Sequence, residues 1–172
     1  MDLRYPIGPF VTPSSVDAAA RRSAINAIRG AAAAFRAAIE GLTDAQLDTP
    51  YRPGGWTVRQ LAHHLPDSHL NAYVRFKLGL TESHPTIKPY DQAAWAGLPD
   101  ATGPVAPSLD LLTALHQRWT LVLESMSETD FARTINHPEA GSLRLDQLLA
   151  MYAWHGRHHT AHVTGLKERQ TW

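Results

Sequence analysis

Apolar residues recur along the chain at alternating steps of three and four, the spacing that gathers side chains on one face of an α-helix. In the first such stretch, about 14–42, Ile25, Ile28, Ala32, Phe35, Ile39 and Leu42 form a single stripe. A second stretch begins at Trp56 or Thr57 and ends near Thr81. Thr57 is placed to cap it, and Pro66 inside it lacks the N–H of a regular helix, so it kinks the helix or opens one hydrogen bond. Ser108 can cap a third stretch, with Leu112, Leu115, Trp119, Val122 and Met126 facing inward, and the fourth runs from about Leu145 to Glu168. No segment alternates convincingly with a period of two. The pattern predicts an all-α fold, an antiparallel or crossover four-helix bundle that spans residues 1–172 as a single domain.

Proline and glycine punctuate these stretches at residues 6–13, at Tyr51-Arg52-Pro53-Gly54-Gly55, and across 85–107, which holds Pro85, Pro89, Pro99, Pro104 and Pro107. The connection from 82 to 107 is long for a bundle, and residues 91–97 read as a short extra helix within it. Loops of this length usually carry function or cover a site.

Two of the stripes break the apolar rule. On the fourth helix the inward positions are Leu145, Leu148, Tyr152, His155, His159, His162 and Leu166, so three consecutive core positions are histidine. A single inward histidine is most simply a hydrogen-bonded core residue. Three in a row, each costing about 1–3 kcal/mol if buried without a partner, call for something to bind. The second helix carries Leu61, His64, Ser68, Asn71, Arg75 and Leu78 on one stripe, with Leu65, Ala72 and Phe76 supplying apolar contact on the other. Polar groups projecting inward from facing helices are how bundles build metal sites.

His155 and His159 stand one helical turn apart and can occupy adjacent vertices around one ion. His64 from the second helix completes a three-histidine set that leaves coordination positions open for water and substrate, the pattern of a catalytic site. The spacing also permits His63 with His158 and His162. His69, His84, His116 and His137 have no spacing partner and read as structural or solvent-facing. Asp67, three residues after His64, and His162 are candidate catalytic groups that orient an imidazole or carry a proton. Trp56 can staple the start of its helix, and Trp119 and Trp154 most simply fill core. Arg75, if inward, needs an anion or carboxylate partner.

Composition narrows the chemistry. Ten histidines stand beside three methionines and no cysteine, which excludes disulfides, thiolate ligands and a cysteine nucleophile. Lys plus Arg and Asp plus Glu both total 16, so no net field draws the protein to nucleic acid or to a membrane surface. The segment Met1-Asp2-Leu3-Arg4-Tyr5-Pro6 lacks the pattern of a secretory signal, and no run is apolar enough to span a bilayer; the expected location is the cytoplasm.

The run from Tyr51-Arg52-Pro53-Gly54-Gly55-Trp56-Thr57 through His63-His64-Leu65 and Asp67-Ser68-His69, then Arg75-Phe76-Lys77-Leu78, Pro89-Tyr90-Asp91, Ala94-Trp95 and Trp154-His155, resembles the YfiT type of metal-dependent hydrolase within the DinB-like superfamily. The likeness extends from Tyr5-Pro6-Ile7-Gly8 almost to Trp172. It implies an up, down, down, up bundle, a homodimer, and a zinc or nickel ion held by three histidines that fall on His64, His155 and His159. Two departures are Pro66, where alanine is expected, and Arg157, which is not a ligand position. The expected activity is hydrolysis of a small-molecule substrate. Relatives in the superfamily include metal-dependent transferases that join a low-molecular-weight thiol of the bacillithiol kind to an electrophile, and a non-enzymatic metal-binding stress protein is the third reading.

Overall fold

In the computed structural model, which describes residues 2–172, four long helices carry the fold: α1 (Ala18–Ile39), α3 (Val58–Thr81), α5 (Ala106–Ser125) and α7 (Leu145–Gln170). Short helices α2 (Asp44–Leu47), α4 (Gln92–Trp95) and α6 (Glu128–Ala132), and a 3-10 turn at Pro99–Thr102, lie in the connections.

Each long helix starts where its sequence provides a stop for the preceding chain. Asp17 accepts a hydrogen bond from Ala20 N at 2.7 Å and caps α1, four residues inside the start of the apolar pattern. Thr57 caps α3 in a reciprocal box with Gln60. α3 continues through Pro66, which is buried. α5 begins at Ala106 rather than after Ser108, because Pro107 fits the first turn, where no N–H is needed. The Ser108 hydroxyl is instead engaged by His63.

Side-chain pairs fix the directions. Arg36 pairs with Asp110 at 2.6 Å and Arg29 with Glu124, so α1 and α5 are antiparallel. His63 meets Ser108 and His69 meets His116, so α3 and α5 run the same way. Arg75 meets Tyr152 and His64 meets His155, so α3 opposes α7. The order is up, down, down, up. Two parallel neighbours, α3 and α5, require the chain to travel back the length of the bundle between them, and this is the physical reason for the long connection at 82–105.

The connection from α5 to α7 differs from expectation. It contains an antiparallel hairpin, β1 (Thr134–His137) with β2 (Gly141–Arg144), in which Ile135 pairs with Leu143 and is fully buried. Strands of four residues are too short to reveal a period of two.

The apolar core has two parts. One surrounds Ile28, Phe76, Trp119, Leu145 and Leu149; the other surrounds Phe35, Leu61, Leu65, Leu112 and Val163. Buried His64, Ser68, His69, His116 and His159 lie between these parts. The bundle is therefore interrupted near mid-height by a polar layer.

Candidate metal centre

The polar layer is built on the two anomalous stripes. His64 Nε2 is 3.3 Å from His155 Nε2, which is 3.1 Å from His159 Nε2. One nitrogen from each of the three lies within 4.8 Å of the others. Imidazole nitrogens bound to zinc at about 2.0–2.1 Å define a tetrahedral edge of about 3.3–3.4 Å, so the separations suit a single small ion.

The far side of each α7 imidazole is held in turn. His155 Nδ1 is 3.1 Å from His69 Nε2, and His69 Nδ1 is 2.8 Å from His116 Nε2. His116 Nδ1, at the outer end of this chain of imidazoles, is buried and closes no hydrogen bond among the described residues. His159 Nδ1 is 3.3 Å from His162 Nδ1, and His162 Nε2 donates to the Arg4 carbonyl at 3.2 Å. A carbonyl only accepts, so His162 carries its proton on Nε2 and His159 must supply the one on Nδ1. A proton on His155 Nδ1, accepted by His69 Nε2, gives the matching tautomer on that side. Both Nε2 lone pairs then face the space shared with His64. Two inward lone pairs beside the Nε2 of His64, which supplies a third when its proton sits on Nδ1, fit a cation.

Burial favours the neutral form throughout. Desolvation pushes His64 down to about 4, and His155 and His159 well below the usual histidine range, with the neighbouring imidazoles adding to the effect in the latter two. Each of the three is therefore a neutral imidazole at neutral pH, with one unprotonated ring nitrogen to offer a metal.

Above the three lies a cavity of about 330 Å³, lined by Tyr51, Arg52, Trp56, Gln92, Trp154 and the histidines of α7, with no acidic residue on its wall. The glycine turn after Pro53 brings Trp56 over His64, with ring centroids 4.8 Å apart. The crossover contributes Gln92. The chain before α1 runs along α7 and closes one side, where Gly8 O accepts from Trp154 Nε1 at 3.2 Å.

Several expectations are corrected. Trp154 does not fill core but stands partly exposed on the cavity wall, stacked on His158 at 4.2 Å. His63 turns away from His158 and His162; its Nδ1 meets Ser108 Oγ at 2.7 Å and its Nε2 the Gly103 carbonyl at 3.2 Å. The set of His63, His158 and His162 is therefore not assembled, although His158, His159 and His162 themselves lie close together. Asp67 is half-buried and does not line the cavity. Burial, and then the nearby Asp100, push its carboxyl up to about 6. Arg157 is exposed on the outer face of α7.

His69 and His116 are the residues that spacing alone missed. Each stands alone on an apolar stripe: His69 falls between Leu65 and Ala72, and His116 between Leu112 and Trp119, at steps of four and three. No helix among the described residues is long and apolar enough to cross a membrane.

A model of the DinB superfamily matches residues 27–163. A Bacillus mycoides (strain KBAB4) protein named "Putative metal-dependent hydrolase BcerKBAB4_2443" is 50% identical over 171 residues, which is 99% of both chains. A Bacillus cereus (strain 03BB102) protein named "Putative metal-dependent hydrolase" is equally similar. Among solved structures, YfiT from Bacillus subtilis, described as "a probable metal-dependent hydrolase with an unusual four-helix bundle topology", superposes with a TM-score of 0.97 at 44% identity, covering 100% of this chain and 99% of that one.

Proposed function

The chain belongs to the DinB superfamily, and from that starting point we propose that it is a metal-dependent hydrolase of small molecules whose ion, zinc or nickel, is held by His64, His155 and His159. The observation that carries this reading is the convergence of three neutral imidazoles, with nitrogen separations of 3.1 and 3.3 Å, at the floor of a cavity. When bound, such an ion supplies a Lewis acid that polarises a substrate carbonyl and makes water nucleophilic near neutral pH.

The protein's own groups do the rest. His162 holds the proton of His159 on Nδ1 and His69 is placed to accept one from His155 Nδ1, which leaves both Nε2 atoms free for the ion. His162 serves as an orienting group toward His159, the first of the two roles its spacing suggested. Tyr51, Trp56 and Trp154 form apolar walls that exclude bulk water and suit a flat or aliphatic substrate body. Arg52, which lines the cavity and forms no ion pair among the described residues, favours a substrate with negative charge. Asp67 is set aside as general base because it does not reach the cavity.

The test is direct. Metal-loaded protein, prepared without affinity resin, is offered a panel of carboxylic esters and amides, with small thiols plus an epoxide as a parallel arm. Hydrolysis that disappears with the ion in His155→Ala and His159→Ala supports the reading. Thiol consumption without ester or amide cleavage would replace it with thiol transfer, and unchanged metal content in those variants would remove the ligand assignment.

A further inference from the structure

Arg75 carries its guanidinium into the bundle and meets no carboxylate there. It is 8% exposed, the same as Arg59. Arg59 is held by Asp48 at 2.6 Å and Asp44 at 2.8 Å. Among the described residues, Arg75 has only a hydrogen bond from Nη1 to Tyr152 Oη, at 3.2 Å. A buried charge needs a partner of opposite sign and a full set of hydrogen bonds, or its desolvation goes uncompensated. The remaining edge of the guanidinium, Nε and Nη2, has no partner among the described residues and is not sealed from solvent.

The surroundings of Arg75 provide further groups for a ligand. The Ser68 hydroxyl stands beside the phenols of both Tyr152 and Tyr90, and both phenols feel the Arg75 charge. These groups arrive from three elements: Ser68 and Arg75 from α3, Tyr152 from α7, and Tyr90 from the crossover. They also continue the two stripes of the metal centre. Ser68 is one turn beyond His64, and the Tyr152 ring lies 5.8 Å from that of His155.

We propose that Arg75, together with the hydroxyls of Tyr152, Ser68 and Tyr90, is an anion-binding site that takes a single carboxylate group. A planar carboxylate matches the free edge of the guanidinium in shape and hydrogen-bonding geometry. Its one negative charge balances the one positive charge present. A phosphate dianion would bring a second charge into a buried place that offers only neutral hydroxyls to meet it. That this carboxylate belongs to the substrate rests on the hydrolase reading above. The substrate class is then a small acid whose carboxylate is held at Arg75 while its ester or amide group lies at the three histidines.

The experiment uses the full chain without metal, so its outcome does not depend on hydrolysis. The probe is sodium acetate, with sodium chloride and inorganic phosphate as parallel titrations. Binding is read from the NMR resonance of the Arg75 Nε–H group, assigned by its loss in Arg75→Lys, and from the thermal midpoint. Saturable movement of that resonance with acetate, absent with chloride and weaker with phosphate, is the expected result. Tyr152→Phe should bind acetate about tenfold more weakly, and Arg75→Lys, which keeps the charge but loses the fork, by a similar factor. Acetate should raise the midpoint of the wild type but not of Arg75→Met, which should melt no lower than the wild type in the absence of acetate, since it discards an unpaired buried charge. The inference is overturned if acetate produces no saturable shift, if Tyr152→Phe and Arg75→Lys bind it as the wild type does, or if Arg75→Met melts well below the wild type and acetate stabilises neither. Should acetate bind as expected while the loaded protein cleaves no ester or amide, the anion site stands and only its assignment to a hydrolase substrate falls.

Discussion

His69→Phe tests whether the second layer of imidazoles sets the affinity of the first. The substitution keeps an aromatic ring of similar size against Trp119 and Tyr152, whose ring centroids lie 5.8 and 5.3 Å from that of His69. It removes two buried hydrogen bonds, of 3.1 and 2.8 Å, and strands His155 Nδ1 and His116 Nε2. In the metal-free protein His155 can escape by moving its proton to Nε2. The loaded protein has no such freedom, because Nε2 must present a lone pair to the ion. The cost of one unmet buried donor, about 1–3 kcal/mol, therefore falls mainly on the loaded state and weakens metal binding by roughly ten- to a hundredfold. Competition with a chromophoric chelator at neutral pH measures this, with circular dichroism confirming the helical fold. His69→Gln, which can restore an acceptor for His155, should recover part of the loss. An unchanged metal affinity in a folded His69→Phe protein would refute the relay from His69 to His155.

Three further outcomes follow from the same geometry. His155→Ala and His159→Ala should each abolish stoichiometric metal uptake, whereas His63→Ala should retain it, because His63 is engaged by Ser108 and Gly103 away from the three ligands; metal analysis after gel filtration decides. Stability should fall as pH drops below 6.5: burial holds His116 near 4 when folded, so between those values the unfolded chain takes up a proton that the folded chain refuses, at a cost of at most about 1.4 kcal/mol per pH unit for that group. Urea midpoints that stay flat from neutral pH down to 4 would contradict this. Gly156→Ala should destabilise the fold by about 1 kcal/mol, because its Cβ would meet the Ala31 Cβ at 3.1 Å and overpacking of about 1–3 kcal/mol outweighs the gain of about 1 kcal/mol in helix propensity; Ala31→Gly in the same chain should recover stability, as a thermal melt would show.

The four long helices were legible because each buries a stripe many residues long, and a period of 3.6 accumulates over such a length. The same reasoning explains what escaped. α2, α6 and the two strands have four or five residues each, too few for a period to show. The start of α5 was misplaced by three residues because Ser108 is a good cap by chemistry, yet its hydroxyl serves His63. Direction could not come from periodicity at all: a stripe reads alike in a helix running up or down, and only pairs such as Arg36 with Asp110 fix it.

The site divides along a different line. Its innermost histidines were visible because three consecutive inward positions of α7 are histidine, and no packing argument accounts for that. His69 and His116 were hidden because each is alone among apolar neighbours, where a lone histidine is ordinarily a structural residue. Their bonds join α3, α5 and α7 at residues 47 and 86 positions apart in the chain, a relation that no local spacing contains. What the fold adds to the sequence is therefore a direction for protons. The Arg4 carbonyl can only accept, which puts the proton of His162 on Nε2 and that of His159 on Nδ1, and His69 stands behind His155 as an acceptor, so the lone pairs of both ligands turn inward together. Cutting either chain at its outer end, as in His116→Leu or by deleting the segment before Pro6, leaves the ligands in place but frees their tautomers. Metal affinity should then fall while the three ligands remain, whereas loss of a ligand removes the site itself.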